Sequence, residues 1–179
     1  MKPLFALCLL SAMLLSCAHV ISREYVQTAE KNIPFKELQK NTDAYLNKLF
    51  IFGGIIAETK ITAGGSEIEV VQTPLDRFGN ITDRDLSEGR FIILTTKYLD
   101  PLIYRSGRDI TIAGIVTGSR KQLLGELEYV YPIFEAKEIY LWREKYYLYP
   151  YEFPYWYDPF YYPPPYPYYR FWNSPYPYR

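Results

Sequence analysis

Few side chains in this chain could do covalent chemistry. There are two cysteines, Cys8 and Cys17, and one histidine, His19. A thiol becomes a strong nucleophile when a base or a cation activates it. The single imidazole lies two residues after Cys17, on a stretch that reads as a tether, so no Ser-His-Asp or Cys-His set is placed within a fold. Zinc would need His and Cys ligands that the rest of the chain lacks. Asp76, Asp83, Asp85 and Glu88 could offer oxygen ligands to Ca²⁺, but their spacing follows no EF-hand loop. With the nearby Asn and Gly they read as a solvated, turn-rich connection. Glu126 and Glu128 share one strand face; a glycosidase pair needs a groove and a separation of roughly 5 or 6.5–9.5 Å, and this spacing reads as a solvent face. Arg90, Arg105 and Arg108 could hold an anion, although Asp85, Glu88, Asp100 and Asp109 are close enough in sequence to pair with them on the surface. Tyr155, Trp156, Tyr161, Tyr162 and Trp172 offer flat amphipathic rings for stacking on a sugar or a protein partner. No catalytic, metal or cofactor set emerges, and the expectation is a protein that is not an enzyme.

The position of Cys17 is more telling than its neighbours. A short basic start, Met1-Lys2-Pro3, leads into the apolar run from Leu4 to Leu15. A run of about 12 residues is too short to span a bilayer as a helix, which takes about 20, and has the length of a signal-peptide core. It ends in Leu14-Leu15-Ser16-Cys17, which resembles the lipobox of bacterial lipoproteins. The resemblance implies that residues 1–16 are a signal peptide and that Cys17 becomes the lipidated N-terminus, carrying palmitate-type chains. Ala18 rather than Asp at the sorting position implies transfer to the outer membrane. Anchoring by two or three acyl chains is stable because each buried methylene adds about 0.8 kcal/mol. Cys8 leaves with the signal peptide, so the mature chain is expected to form no disulfide and to rely on a packed core.

The elements that would support these residues follow from periodicity. Residues 17–32 read as a polar tether. Residues 33–145 read as one folded domain, opening with a short helical segment at Pro34 to Leu38 and a turn or second short helix from Lys40 to Asn47. Leu49 to Thr59 is apolar and β-rich, and its Gly53-Gly54 pair suggests a bulge or sharp coil. Glu67 to Thr73, Arg90 to Thr96 and Asp109 to Thr117 follow as strands. Gly114 and Gly118 mark a strand end followed by a turn. Glu126 to Trp142 is a fifth strand, or a pair broken at Pro132. Five β-segments with an internal glycine coil, and an extra element from Tyr98 to Ser106, predict a mainly all-β fold. The architecture is a small OB-like antiparallel β-barrel, with an open five- or six-stranded sheet as the alternative. Ile55, Val70, Ile92, Ile112 and Val116 are expected in its core.

Residues 146–179 differ in kind. They hold 13 of the 20 tyrosines and 9 of the 14 prolines. Proline at that density prevents helix and sheet, so the segment is expected to be a disordered or extended polyproline-II tail. It reads either as a plain solvated extension or as an adhesive arm. The chain balances 20 basic against 20 acidic residues with no basic stripe, which argues against nucleic acid as a partner.

A family resemblance spans the domain. It is carried by Phe35-Lys36-Glu37-Leu38, Gly53-Gly54-Ile55-Ile56, Val71-Gln72 with Pro74-Leu75-Asp76, and Gly89-Arg90-Phe91. Leu99-Asp100-Pro101 with Tyr104, Gly107 and Arg108 follow, then Gly114, Val116, Gly118, Gly125, Tyr131-Pro132 and Leu141-Trp142. In this order and spacing the residues resemble the Slp family of starvation-inducible outer-membrane lipoproteins. The Tyr/Pro tail lies outside the usual pattern. The resemblance implies a non-catalytic, periplasm-facing envelope protein, structural or stress-protective. Its partners would be the membrane through its lipid and, as an alternative role, an envelope protein, peptidoglycan or another saccharide.

Overall fold

The computed structural model describes residues 19–144; the chain divides after Glu144. Cys17 and the Tyr/Pro-rich segment, with Tyr155, Trp156, Tyr161, Tyr162 and Trp172, lie outside the described residues. Two short helices, α1 (Arg23–Thr28) and α2 (Phe35–Lys40), and a 3₁₀ turn (Thr42–Tyr45) precede five strands. These are β1 (Leu49–Thr62), β2 (Gly65–Thr73), β3 (Arg90–Thr95), β4 (Asp109–Leu124) and β5 (Leu127–Leu141). They close into a barrel in the order β1-β2-β3-β5-β4, with β4 returning to β1. This is the OB topology, and closure leaves no open sheet edge.

The expected OB-like barrel is the one found, and a single strand pair in it is not antiparallel. β3 and β5 run parallel, with Ile92 opposite Ile133 and Leu94 opposite Glu135. The reason is parity: strand directions can alternate all the way round a ring only if the strand number is even. β4 does not end in a turn at Gly118 but continues to Leu124. Gly118 sits at a register shift, with φ +151°. β5 runs unbroken through Pro132, which pairs with Ser119.

The glycine pair in β1 acts differently from expectation. Gly53, Gly54 and Ile55 pair on both sides, with β2 and with β4, where the strand changes its main partner. The register shift falls later, between Ile56 and Glu58. Gly54 is needed for close approach, since a Cβ there would stand 2.0 Å from the Val71 carbonyl oxygen.

Inside the barrel, Phe50, Ile56, Ile68, Val70, Phe91, Ile93, Ile110, Ile112, Val116 and Phe134 form one cluster, completed by Phe35 and Leu38 of α2. Helix α2 thus plugs the barrel with its two buried residues. The rings pack mostly edge to face: Phe35 on Phe52 at 5.3 Å and Phe91 on Phe134 at 5.4 Å between centroids. Such contacts add about 0.5–1.5 kcal/mol each beyond burial. Val70, Ile112 and Val116 sit where expected. Ile92 is buried but stands outside this cluster. Ile55 is corrected: it is half-buried, and its neighbour Ile56 points inward. Leu49 to Ile56 is apolar throughout apart from its glycines, so the strand's phase could not be read from alternation.

The tether is corrected as well. From His19 the chain is strapped to the barrel. Val20 N–H donates to the Phe78 carbonyl at 3.1 Å, and Glu30 N–H to that of Leu49 at 2.8 Å. Ile21 is buried, 1% exposed. The Ser22 N–H and hydroxyl donate to the Glu138 carboxylate at 2.8 and 3.1 Å. One buried isoleucine and a few polar contacts hold the strap, a pattern without period and so without a sequence signal.

Candidate functional site

Alternation along β2 puts Ile68 and Val70 inside and leaves Glu67 and Glu69 outside, on the face that OB barrels commonly use for ligands. Here that face is occupied by its own ion pairs. Arg90 donates to Glu69 at 2.7 Å, and the Tyr131 hydroxyl donates to the same oxygen at 3.3 Å. Arg120 donates to both oxygens of Glu67 at 2.9 Å. The Tyr129 hydroxyl accepts from the Arg90 backbone N–H at 2.7 Å, and its ring lies 4.7 Å from that of Tyr131. Burial and the charge of Glu69 push the Tyr131 hydroxyl above its ordinary pKa, against the lowering influence of the Gln122 hydrogen bond and Arg90. The acids come from alternation in β2 and the bases from β3 and β4, a pairing visible only once the barrel has closed.

The three arginines of the candidate anion patch are not brought together. Arg90, on β3, pairs with Glu69, while Arg105 and Arg108 precede β4, which β5 separates from β3 in the ring. Arg105 and Arg108 do meet: both pair with Glu144. Arg108 also donates to the Ile103 carbonyl at 2.9 Å and the Trp142 carbonyl at 2.6 Å. These guanidiniums tie the end of β5 to the loop before β4.

The acidic stretch is distributed rather than clustered. Asp76 accepts from Phe78 N–H, Asn80 N–H and the Asn80 side chain at 2.8–2.9 Å. Burial pushes its carboxyl up, but these donors outweigh that and hold it below the usual range. Asp83 caps Asp85 N–H, and Glu88 accepts from Lys36 N–H. Among the described residues no three His, Cys, Asp or Glu side chains are grouped to hold a metal ion. Glu128 pairs with Lys121 at 3.5 Å, with both side chains largely exposed. His19 uses its Nδ1 to accept from Ile21 N–H at 2.9 Å, so its role is to turn the strap.

One feature escaped the sequence reading. An open cleft of about 510 Å³ lies between the start of α2 and the connection after β2. Ile33, Phe52, Leu75 and Leu86 give it apolar walls, and Gln72, Thr73 and Glu88 supply polar groups. Gln72 is fixed by accepting from Glu88 N–H at 3.0 Å. The Thr73 hydroxyl is buried and has no hydrogen-bond partner among the described residues, a state that costs about 1–3 kcal/mol.

Comparison with known proteins gives this architecture a family. The description "Outer membrane lipoprotein Slp family" matches residues 14–173. The match takes in Cys17 and most of the Tyr/Pro-rich segment, which the resemblance read from residues 35–142 had left outside. An uncharacterized protein of Haemophilus influenzae is 30% identical over 91 residues, covering 50% of this chain and 49% of its own. The uncharacterized lipoprotein YeaY of Escherichia coli is 26% identical over 99 residues, 55% of this chain and 51% of its own. The chain thus spans about half the length of the curated relatives it matches. Among solved structures, a small single-stranded DNA-binding protein from Streptomyces coelicolor aligns at 12% identity, over 53% of this chain and 94% of that one, with a TM-score of 0.33. Mitochondrial single-stranded DNA-binding protein from Saccharomyces cerevisiae aligns at 12% identity, over 55% and 97%, with a TM-score of 0.29. With a match over most of its length, the chain belongs to the outer-membrane lipoprotein Slp family.

Proposed function

We propose that this protein is a non-catalytic lipoprotein of the outer membrane, anchored by acyl chains on Cys17, facing the periplasm, and structural or stress-protective in the envelope. The observation that carries the reading is Leu14-Leu15-Ser16-Cys17 at the end of the apolar run, in a chain of this family. The test is expression in a Gram-negative host with labelled fatty acid, followed by separation of inner and outer membranes. The wild type should carry label and sediment with the outer membrane, and Cys17→Ser should accumulate as unlabelled precursor. Normal labelling of Cys17→Ser would refute the assignment.

A second reading is a binding module for an envelope protein or a saccharide such as peptidoglycan, with the aromatic residues after Glu144 as auxiliary contacts. The cleft favours it, because the Thr73 hydroxyl, without a partner among the described residues, stands beside apolar walls and suits a ligand with polar and apolar edges. Capture from envelope extract by the full chain, lost on Leu75→Arg, would support it. Equal capture by the variant would refute the cleft as the site.

A further inference from the structure

We propose that the barrel surface around His19, Phe78 and Trp142 is a membrane-contact surface, seated on the lipid headgroups of the leaflet that holds the anchor. The inference rests on the reading of Cys17 as the acylated residue and adds where the domain sits relative to it. The leash is short. Cys17 is two residues before His19, and two residues reach at most about 7 Å. His19 and Val20 belong to the barrel surface. Val20 N–H is bonded to the Phe78 carbonyl. Gly79 has φ +85°, and a Cβ on it would stand 2.7 Å from the Val20 side chain and 2.9 Å from the His19 ring. The headgroup layer of one leaflet is about 5–7 Å deep, half the difference between the whole bilayer and its hydrocarbon core. A leash comparable in length with that layer holds this part of the barrel at the membrane interface.

The chemistry exposed there fits an interface. The Thr111 hydroxyl donates to the Gly79 carbonyl at 2.9 Å and accepts from the Trp142 indole N–H at 3.0 Å, so the indole stands two hydrogen bonds from the strap's contact. Tyr140, an exposed aromatic, packs edge to face on Trp142 at 4.8 Å. The guanidinium of Arg77 lies 4.7 Å over the Phe78 ring. The Trp142 N–H is used inside, on buried Thr111, so what this surface offers is the Tyr140 ring and the Arg77 guanidinium held on Phe78, side chains of the kind that settle at headgroup depth. Charge alone does not select this surface, because Asp76, Asp109, Glu138 and Glu144 are interspersed and largely bonded to donors of the protein itself. The aromatic rings and the short leash carry the inference.

The experiment uses the full acylated chain with Trp156→Phe and Trp172→Phe, leaving Trp142 as the sole tryptophan of the three. The protein is reconstituted in vesicles of phosphatidylethanolamine with a minority of phosphatidylglycerol, with and without phospholipid brominated near the headgroup end of its chains. Intact mass and flotation establish acylation and anchoring in the same sample. The inference expects brominated lipid to lower Trp142 emission about twofold, as for an indole at the interface. Acylated, floating protein whose emission is unchanged by bromine overturns this inference and leaves the lipoprotein reading standing. Protein without acyl mass that fails to float overturns both.

Discussion

The barrel interior and the N-terminal strap are held by different means. The interior is a continuous apolar cluster in which each phenylalanine touches others and every strand contributes. Burial of that kind supplies most of a small domain's stability, at roughly 25 cal/mol per Å². The strap has one buried side chain, Ile21, and is otherwise held by backbone hydrogen bonds, the Ser22–Glu138 contact and the exposed Glu30–Lys48 ion pair. Segments with few buried contacts open locally at little cost. The interior keeps the domain folded, whereas the strap rests on its surface through few buried contacts.

Substitutions should separate the two. Phe134→Ala should have the largest effect, lowering unfolding free energy in urea by about 3–5 kcal/mol, as for other buried aromatics. A loss below about 1 kcal/mol would mean the cluster is not the stabilising unit. Gly54→Ala should come next, at about 1–3 kcal/mol, because its Cβ would drive β1 away from β2 at the Val71 carbonyl. Ile21→Ala should act on the strap alone. Hydrogen exchange at Val20 and Glu30 should accelerate at least about tenfold while Ile112 in β4 is unchanged, the signature of a local opening. Equal acceleration at all three would make strap and barrel one cooperative unit and erase the distinction. Arg90→Ala should have the smallest effect, about 0.2–1 kcal/mol, as an ion pair near the surface.

A pH titration sharpens the picture of the outer face. The folded protein raises the Tyr131 hydroxyl above its ordinary value of 10.0, so the folded state holds this proton more tightly than the unfolded chain. Its contribution is fully present below pH 10 and is lost as pH rises through the higher folded value. Stability should therefore fall more steeply above pH 10 in the wild type than in Tyr131→Phe. Parallel alkaline profiles would show that burial and Glu69 do not hold the Tyr131 hydroxyl above its ordinary value in the folded protein.

Strand periodicity made most of the barrel legible. Glu67 to Thr73 and Asp109 to Thr117 alternate because one face of each is wet, and both are strands. Where both neighbours are apolar the phase is hidden, which is why Ile55 was placed inside in place of Ile56. The parallel β3–β5 pair follows from counting strands around a ring, not from any residue in either strand. The strap left no trace because a single buried isoleucine has no period. The arginines could be matched to acids by proximity in the sequence, but their true partners, Glu69 for Arg90 and Glu144 for Arg105 and Arg108, depend on which strands and ends become neighbours. The cleft likewise arises only when α2 is placed against the connection after β2.

In the proposed function, an OB-type barrel is held to the outer membrane through Cys17. The most direct test is the intact mass of the protein extracted from outer membranes, with fragmentation of its N-terminal peptide. The account predicts a chain beginning at Cys17 that carries a diacylglyceryl thioether and an amide-linked acyl group. A chain beginning elsewhere, or beginning at Cys17 with no added lipid mass, would contradict it.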